Sequence, residues 1–315
     1  MKKSFLKLLL FISVIFALIA SLKINAYYRI VNNPSFKPFF HHTISDSNFY
    51  FIGTSRMRES FDEKLFKQKI PGYSFHNLGI SALPMNYGLL LANKIISNSN
   101  NDNRNAIYIE ISRFKPYRSA RCYDLFTYSD VIGGLKSYNN SINTKSFNEF
   151  KSYVNDLSEF TLIFFSLTEE LVTIINPDLG ITKLANSRIE KSFIGDCRSI
   201  IYLNPIDIES ANKNVNFNKS YQREIFKTIE NGEKKNIKII FLLPIVFSSA
   251  EEKKELLPLF NSIPAKNKLI YSEKFLKEIC QTKNLYDDIH FNTNGSFVFS
   301  NELTKEINKL NEKNN

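Results

Sequence analysis

The sequence predicts an α/β fold, a doubly wound and mostly parallel sheet with helices on its faces. Three observations carry that expectation. Short apolar runs, bounded by turn residues, alternate with stretches of helical periodicity. The best of these runs end at glycine or proline, where buried strands stop. And 315 residues with 43% hydrophobic content and 28 phenylalanines are enough to bury a full core.

The elements follow in order. Residues 48–56 form an aromatic-rich run that ends at Gly53 and leads through Thr54 and Ser55 to Arg56. Residues 57–69 set Leu65, Phe66 and Ile70 among charges, which suits one helix packed on one face. A second strand is expected within 72–81, ending at Gly79, and an amphipathic helix over 82–96 carries Leu83, Leu90, Ala92 and Ile95. After a polar spacer at 97–105, residues 106–112 read as a third strand. The rhythm breaks over 114–215, where Arg118, Arg121, several tyrosines and Gly133-Gly134 suggest irregular structure around an apolar helix at 160–175. This is expected to be a long insertion that covers or shapes a site. Alternation resumes with a helix at 219–235, a buried strand at 237–244 ending at Pro244, and partly helical residues 251–263. A short strand at 269–271, a short helix at 275–281 and a terminal helix at 294–310 complete the chain. No internal repeat is visible.

The N-terminus places Lys2, Lys3 and Lys7 before a long apolar run at 8–22. Such a pattern fits a signal peptide or a membrane anchor. Ala20 and Ala26 are preceded at the −3 position by Leu18 and Ile24, so neither offers a good cleavage site. Residues 1–28 are therefore expected to be a short cytoplasmic N-terminus and a single transmembrane helix, with Tyr27 and Tyr28 at the interface. Residues 29–46, with Pro34, Pro38 and His41-His42, read as a linker, and 47–315 as one domain on the extracytoplasmic side.

Composition narrows the function. The formal charge of +10 comes from lysines scattered along the chain, not from a dense basic block. Scattered positive charge suits a solvated face or attraction to an anionic polymer or membrane better than sequence-specific nucleic-acid binding. Cys122, Cys197 and Cys280 have no zinc-ligand spacing, and with only four histidines neither a metal site nor a cofactor is expected. Three cysteines also rule out a disulfide framework.

Ser55, between a buried strand and a helix, is well placed for a nucleophile, because the turn exposes its hydroxyl near unpaired backbone N–H groups. The same residues also suit an ordinary turn with Thr54 or Ser55 as helix cap. Near the far end, His290 stands three residues after Asp287, just before the terminal helix. A histidine takes a proton from a serine hydroxyl, and a carboxylate on its other nitrogen holds the tautomer. Asp288 competes with Asp287 for that place. In open α/β sheets the C-terminal strand edge, where these segments would meet, is where ligands bind.

Gly53-Thr54-Ser55, Asn77-Leu78-Gly79 and Asp287-x-x-His290 together resemble the SGNH/GDSL hydrolase superfamily, a three-layer, flavodoxin-like fold. Gly-Thr-Ser-Arg followed by Asn-Leu-Gly-Ile-Ser is similar to its membrane-anchored branch, which includes alginate O-acetylation proteins and the D-alanyl transfer protein of teichoic acid synthesis. The resemblance covers about 47–113 and 237–310. It implies Ser55 as nucleophile, His290 as general base and acid, Asp287 as orienting carboxylate, and the N–H groups of Ser55 and Gly79 as the oxyanion hole. It further implies acyl transfer to a cell-surface polysaccharide or other glycan acceptor, with a membrane protein as possible acyl donor; an esterase and a non-catalytic glycan-binding or assembly protein are the alternatives. Two departures stand out. Thr54 occupies the family's aspartate position, and the third strand runs Ile109-Glu110-Ile111-Ser112-Arg113 without the family's Gly-x-Asn. Arg56 or Arg113 is expected to replace the missing donor as a site cation, or else to pair with surface carboxylates.

Overall fold

A computed structural model of the chain describes residues 47–80, 82–99, 105–114, 193, 200–204, 206 and 219–312, with scattered helical positions between 7 and 21. Most of the 8–22 run, the linker with His41 and His42, and nearly all of the 114–215 insertion with Arg118, Arg121, Cys122, Cys197 and the 160–175 helix lie outside the described residues. Among the described residues no helix is long and apolar enough to cross a membrane.

The core element is a parallel sheet of four strands. These are β1 (Ser47–Gly53), β2 (Tyr73–Gly79), β3 (Ala106–Glu110) and β5 (Lys238–Leu242), in the order β2-β1-β3-β5. The chain moves from β1 outward to β2, then crosses back over β1 to β3. The connection therefore reverses between β1 and β3, and the C-terminal ends of these two strands are the switch point at which open α/β sheets bind ligands. Ser55 leaves β1 at that point. A small antiparallel pair, β4 (Ile201–Tyr202) with β6 (Val246–Phe247), lies apart from the main sheet. The sequence pattern missed both of these strands, because two-residue strands carry no periodicity.

Successive side chains of β1 point to opposite faces, and both faces are buried. Phe51 meets Phe61 and Phe66 at ring-centroid distances of 4.6 and 5.4 Å, and stacks on Tyr108 of β3 at 5.1 Å. Ile52, on the other face, lies under Gly88 of α3 (Met85–Asn98). Each such large apolar side chain contributes about 1.5–3 kcal/mol on burial. Phe49, Phe75 and Tyr73 join this aromatic cluster on the β1–β2–β3 face.

The expected single helix at 57–69 is two helices, α1 (Ser55–Glu59) and α2 (Glu63–Lys69). The break comes from Asp62, whose carboxylate accepts from the N–H groups of Lys64 and Leu65 and so starts a new helix. The second helix of the pattern begins at Met85 and not at 82, since Ala82 has φ of 55° and Pro84 is the cap. The expected strand at 269–271 is reduced to a bridge between Lys268 and Phe241 at the sheet edge. Among the described residues the other α-helices are α4 (Lys219–Lys234), α5 (Ala250–Ser262), α6 (Glu273–Ile279) and α7 (Thr293–Glu312).

Helix α7 is tied to the turn between α1 and α2. The buried Ser300 hydroxyl donates to the Ser60 carbonyl at 3.1 Å and accepts from the Asp62 N–H at 2.7 Å. That contact holds the N-terminal half of α7 (Thr293–Glu312), the helix after the His290 turn, against the α1–α2 turn, which follows Ser55.

On β2, His76 stacks on Tyr50 at 4.9 Å and bonds to Asn48 Oδ1 through Nε2 at 2.9 Å. Burial depresses its pKa to about 4, with Glu63 opposing and Lys67 adding to the shift. The fold therefore holds this imidazole neutral, whereas the unfolded chain protonates it near pH 6.5. The stability that follows is complete above about pH 6.5 and is lost as pH falls toward 4. The loss amounts to about 3 kcal/mol at most. Melting wild type and His76→Gln at pH 7.5 and 4.5 checks this. Wild type is expected to lose more Tm between the two pH values, and equal losses would contradict it.

Candidate active site

The Ser55 turn is built by two glycines. A Cβ on Gly53 would lie 2.5 Å from Met57 Cβ and 2.8 Å from Glu110 Cβ; one on Gly79 would lie 2.5 Å from the Arg58 nitrogen. Only glycine at these two strand ends lets α1 fold back across β1 and β2. Thr54 caps the helix, its hydroxyl accepting from the Arg56 N–H at 3.2 Å. Thr54 thus takes the cap role that the sequence left open between Thr54 and Ser55. Ser55 becomes the first helical residue, part-exposed, its N–H facing no acceptor among the described residues.

The His290 turn is closed by its own backbone. Leu285 and Phe291 form an antiparallel bridge, and the Tyr286 N–H donates to the His290 carbonyl at 3.1 Å. Asp287 uses its two oxygens for two tasks. Oδ1 accepts from the N–H groups of Ile289 and His290 at 2.9 and 2.7 Å and so shapes the turn. Oδ2 meets His290 Nδ1 at 2.7 Å. Asn292 then caps α7, accepting from the Gly295 N–H at 3.0 Å, while its amide donates to the carbonyls of Lys283 and Leu285.

The two turns meet at the C-terminal edge of the sheet. His290 Nε2 lies 2.7 Å from Ser55 Oγ, across 235 residues of chain. The structure therefore brings together Ser55, His290 and Asp287, and it is Asp287, not the exposed Asp288, that reaches the imidazole. Burial works against ionisation of Asp287, but the hydrogen bonds from His290 and from the Ile289 and His290 N–H groups outweigh it and hold its pKa below the ordinary value. A carboxylate at Nδ1 keeps the proton there and leaves Nε2 free to accept from the serine hydroxyl. Tyr286 stacks on the imidazole at 5.5 Å with rings 9° from parallel, which holds the ring plane. Its phenol is pushed up to about 12 by burial and by Glu59 and Asp287, so it stays protonated.

Two further expectations meet a different geometry. The Gly79 N–H donates to Asn77 Oδ1 at 3.0 Å, and the same amide donates to the Arg58 carbonyl at 2.9 Å. Asn77 thus locks β2 to α1 and occupies the donor expected for an oxyanion. In the loop that follows, Ile80 is buried, its N–H donating to the Gly53 carbonyl, and Ala82 is exposed and left-handed.

Neither arginine is a free site cation. Arg113 pairs with Glu255 at 2.9 Å. Arg56 is buried, and its guanidinium donates to Glu252 through both terminal nitrogens at 3.0 Å, to the Val246 carbonyl at 3.1 Å and to Thr54 Oγ1 at 3.3 Å. The Glu110 carboxylate lies 3.5 Å away. An arginine has five N–H donors, and these partners engage all of them. Burial disfavours its charge, but Glu110 and Glu252 more than compensate and raise its pKa.

Glu110 and Glu252 went unnoticed in the sequence. Glu110 left a signal, a charge inside the apolar run Ala106-Ile-Tyr-Ile-Glu-Ile, which demands a buried partner. Glu252 left none, sitting in an ordinary charged first helical turn.

No protein-family model matches the chain, and no curated protein matches it. What the structure shows is an open parallel α/β sheet with Ser55, His290 and Asp287 linked by hydrogen bonds at its C-terminal edge.

Proposed function

We propose that the protein is a serine acyl-ester enzyme of SGNH type, held at the membrane by its N-terminal apolar run with residues 47–315 outside the cytoplasm. It moves an acyl group, acetyl in the simplest case, onto a cell-envelope polysaccharide. The observation that carries this reading is the pair of 2.7 Å contacts from Ser55 Oγ to His290 and from His290 to Asp287. Ser55 Oγ attacks the ester carbonyl as its proton passes to His290 Nε2, and the leaving alkoxide takes that proton away. A sugar hydroxyl then attacks the acyl-serine, gives its proton to His290 and restores the Ser55 hydroxyl. Anchorage near the site of polymer assembly favours the sugar over water as acceptor. The +10 charge suits an anionic polymer.

A second reading, a non-catalytic assembly or glycan-binding protein, is favoured by one observation. Asn77 takes the Gly79 N–H, leaving the Ser55 N–H as the only open donor among the groups expected at the oxyanion. Loss of one such donor costs about 10²–10³ in rate. Incubating the detergent-solubilised full chain with an acetyl ester, with and without an acceptor oligosaccharide, separates the readings. Acetylated oligosaccharide is the expected product. Free acetate alone would make the protein an esterase, and no turnover would leave the binding role.

A further inference from the structure

Ser55 lies between two residues whose side chains turn the other way, into a buried polar cluster. Thr54 Oγ1 donates to Glu110 Oε1 at 2.7 Å and accepts from Arg56 at its backbone N–H and its Nε, 3.2 and 3.3 Å away. A hydroxyl has one proton and two lone pairs, so this one is saturated. Arg56 is saturated too, by Thr54, Glu252, Val246 and the nearby Glu110. Glu252 is fixed in turn by Ser248, whose N–H and hydroxyl donate to Oε2 at 2.7 and 2.8 Å. The cluster joins the end of β1, the end of β3, the β6 turn and the start of α5. All four groups are nearly excluded from solvent.

We infer that Thr54, Glu110, Arg56 and Glu252 form a positioning device for the nucleophile. They clamp the main chain on both sides of Ser55, so that its hydroxyl is held at His290 and its N–H points at the reacting carbonyl. None of the four touches substrate. The inference rests on the acyl-ester reading above and adds to it the group that sets the attack geometry. A buried cluster is suited to this task because every member is satisfied and has no alternative partner in solvent. A displacement of about 1 Å in a reacting group costs about 100-fold in rate.

The test uses the full chain and three variants, two of them near-isosteric (Thr54→Val and Glu110→Gln) and one that drops only a methyl group (Thr54→Ser). Thr54→Val removes the hydroxyl, Thr54→Ser keeps it, and Glu110→Gln keeps an acceptor oxygen while removing the charge. Turnover of an acetyl ester, rate of labelling by a serine-directed phosphonate, and Tm are read together. Thr54→Val is expected to lower kcat about 10- to 100-fold with KM within about twofold, and to slow labelling in parallel. Thr54→Ser should restore most of kcat. If Thr54→Val does not fold, Glu110→Gln carries the same expectation of lowered kcat at unchanged KM. A folded Thr54→Val, or in its place Glu110→Gln, with wild-type kcat and labelling overturns the inference alone, as does an equal kcat loss in Thr54→Ser. Wild type that neither turns over ester nor takes the label overturns the acyl-ester reading beneath it, and the inference with it.

Discussion

Replacing His290 with alanine is expected to lower kcat for ester turnover by about 10⁴- to 10⁶-fold. The hydroxyl of Ser55 is a weak nucleophile unless its proton leaves as the bond forms, and His290 Nε2, 2.7 Å away, is the acceptor placed to take it. The change should leave the fold standing, since among the described residues the imidazole is linked only to Ser55, Asp287 and the Tyr286 ring. Asp287→Asn is the subtler partner of this experiment. An amide nitrogen facing Nδ1 would favour the tautomer with its proton on Nε2, which cannot accept from serine, and about 10⁴-fold in kcat should be lost. The same change should loosen the 285–291 turn little, because the amide oxygen can still accept from Ile289 and His290. Steady-state kinetics on both variants, with Tm as control, check this. Retention of more than about a tenth of wild-type kcat in His290→Ala would be incompatible with a serine relay.

The largest expected effect on stability belongs to Arg56→Met. It leaves the carboxylate of Glu252, and Glu110 beside it, buried without their cation. Breaking a buried pair from one side costs about 3–5 kcal/mol. In a domain of this size that lowers Tm by roughly 6–20 °C. Arg56→Met with Glu252→Met should recover part of the loss, because the stranded charge goes with its partner. Thermal and urea unfolding of the single and double variants measure it. A single variant within about 1 kcal/mol of wild type would show that the pair is worth no more than an exposed one.

How much of this was legible in the sequence depends on the range of the interaction involved. The strands expected within 48–56, within 72–81, at 106–112 and at 237–244 announced themselves by local apolar runs, and each of these stretches holds a strand of the parallel sheet. Asp287 and His290 were visible as a pair because both project from one turn. Their meeting with Ser55 was only an expectation, since nothing local encodes a contact across 235 residues. That contact depends on Ser300 and on strand order, which no periodicity reveals. Arg56 shows the limit most clearly. A charge after a turn glycine reads as exposed, yet Glu110 and Glu252 lie 54 and 196 positions away in the chain and bury it. The Gly79 N–H is an oxyanion donor only by the resemblance; Asn77, two residues earlier, captures that N–H through an Asx-type turn.

The central claim, that Ser55 is an activated nucleophile, is tested most directly by covalent labelling. Full-length protein is treated with a serine-directed phosphonate, digested, and mapped by mass spectrometry, beside Ser55→Ala and His290→Ala. One adduct on Ser55 in wild type, none in Ser55→Ala and a slowed reaction in His290→Ala is the result this account predicts. A wild-type chain that remains unlabelled, or is labelled equally with Ser55 replaced, would contradict it.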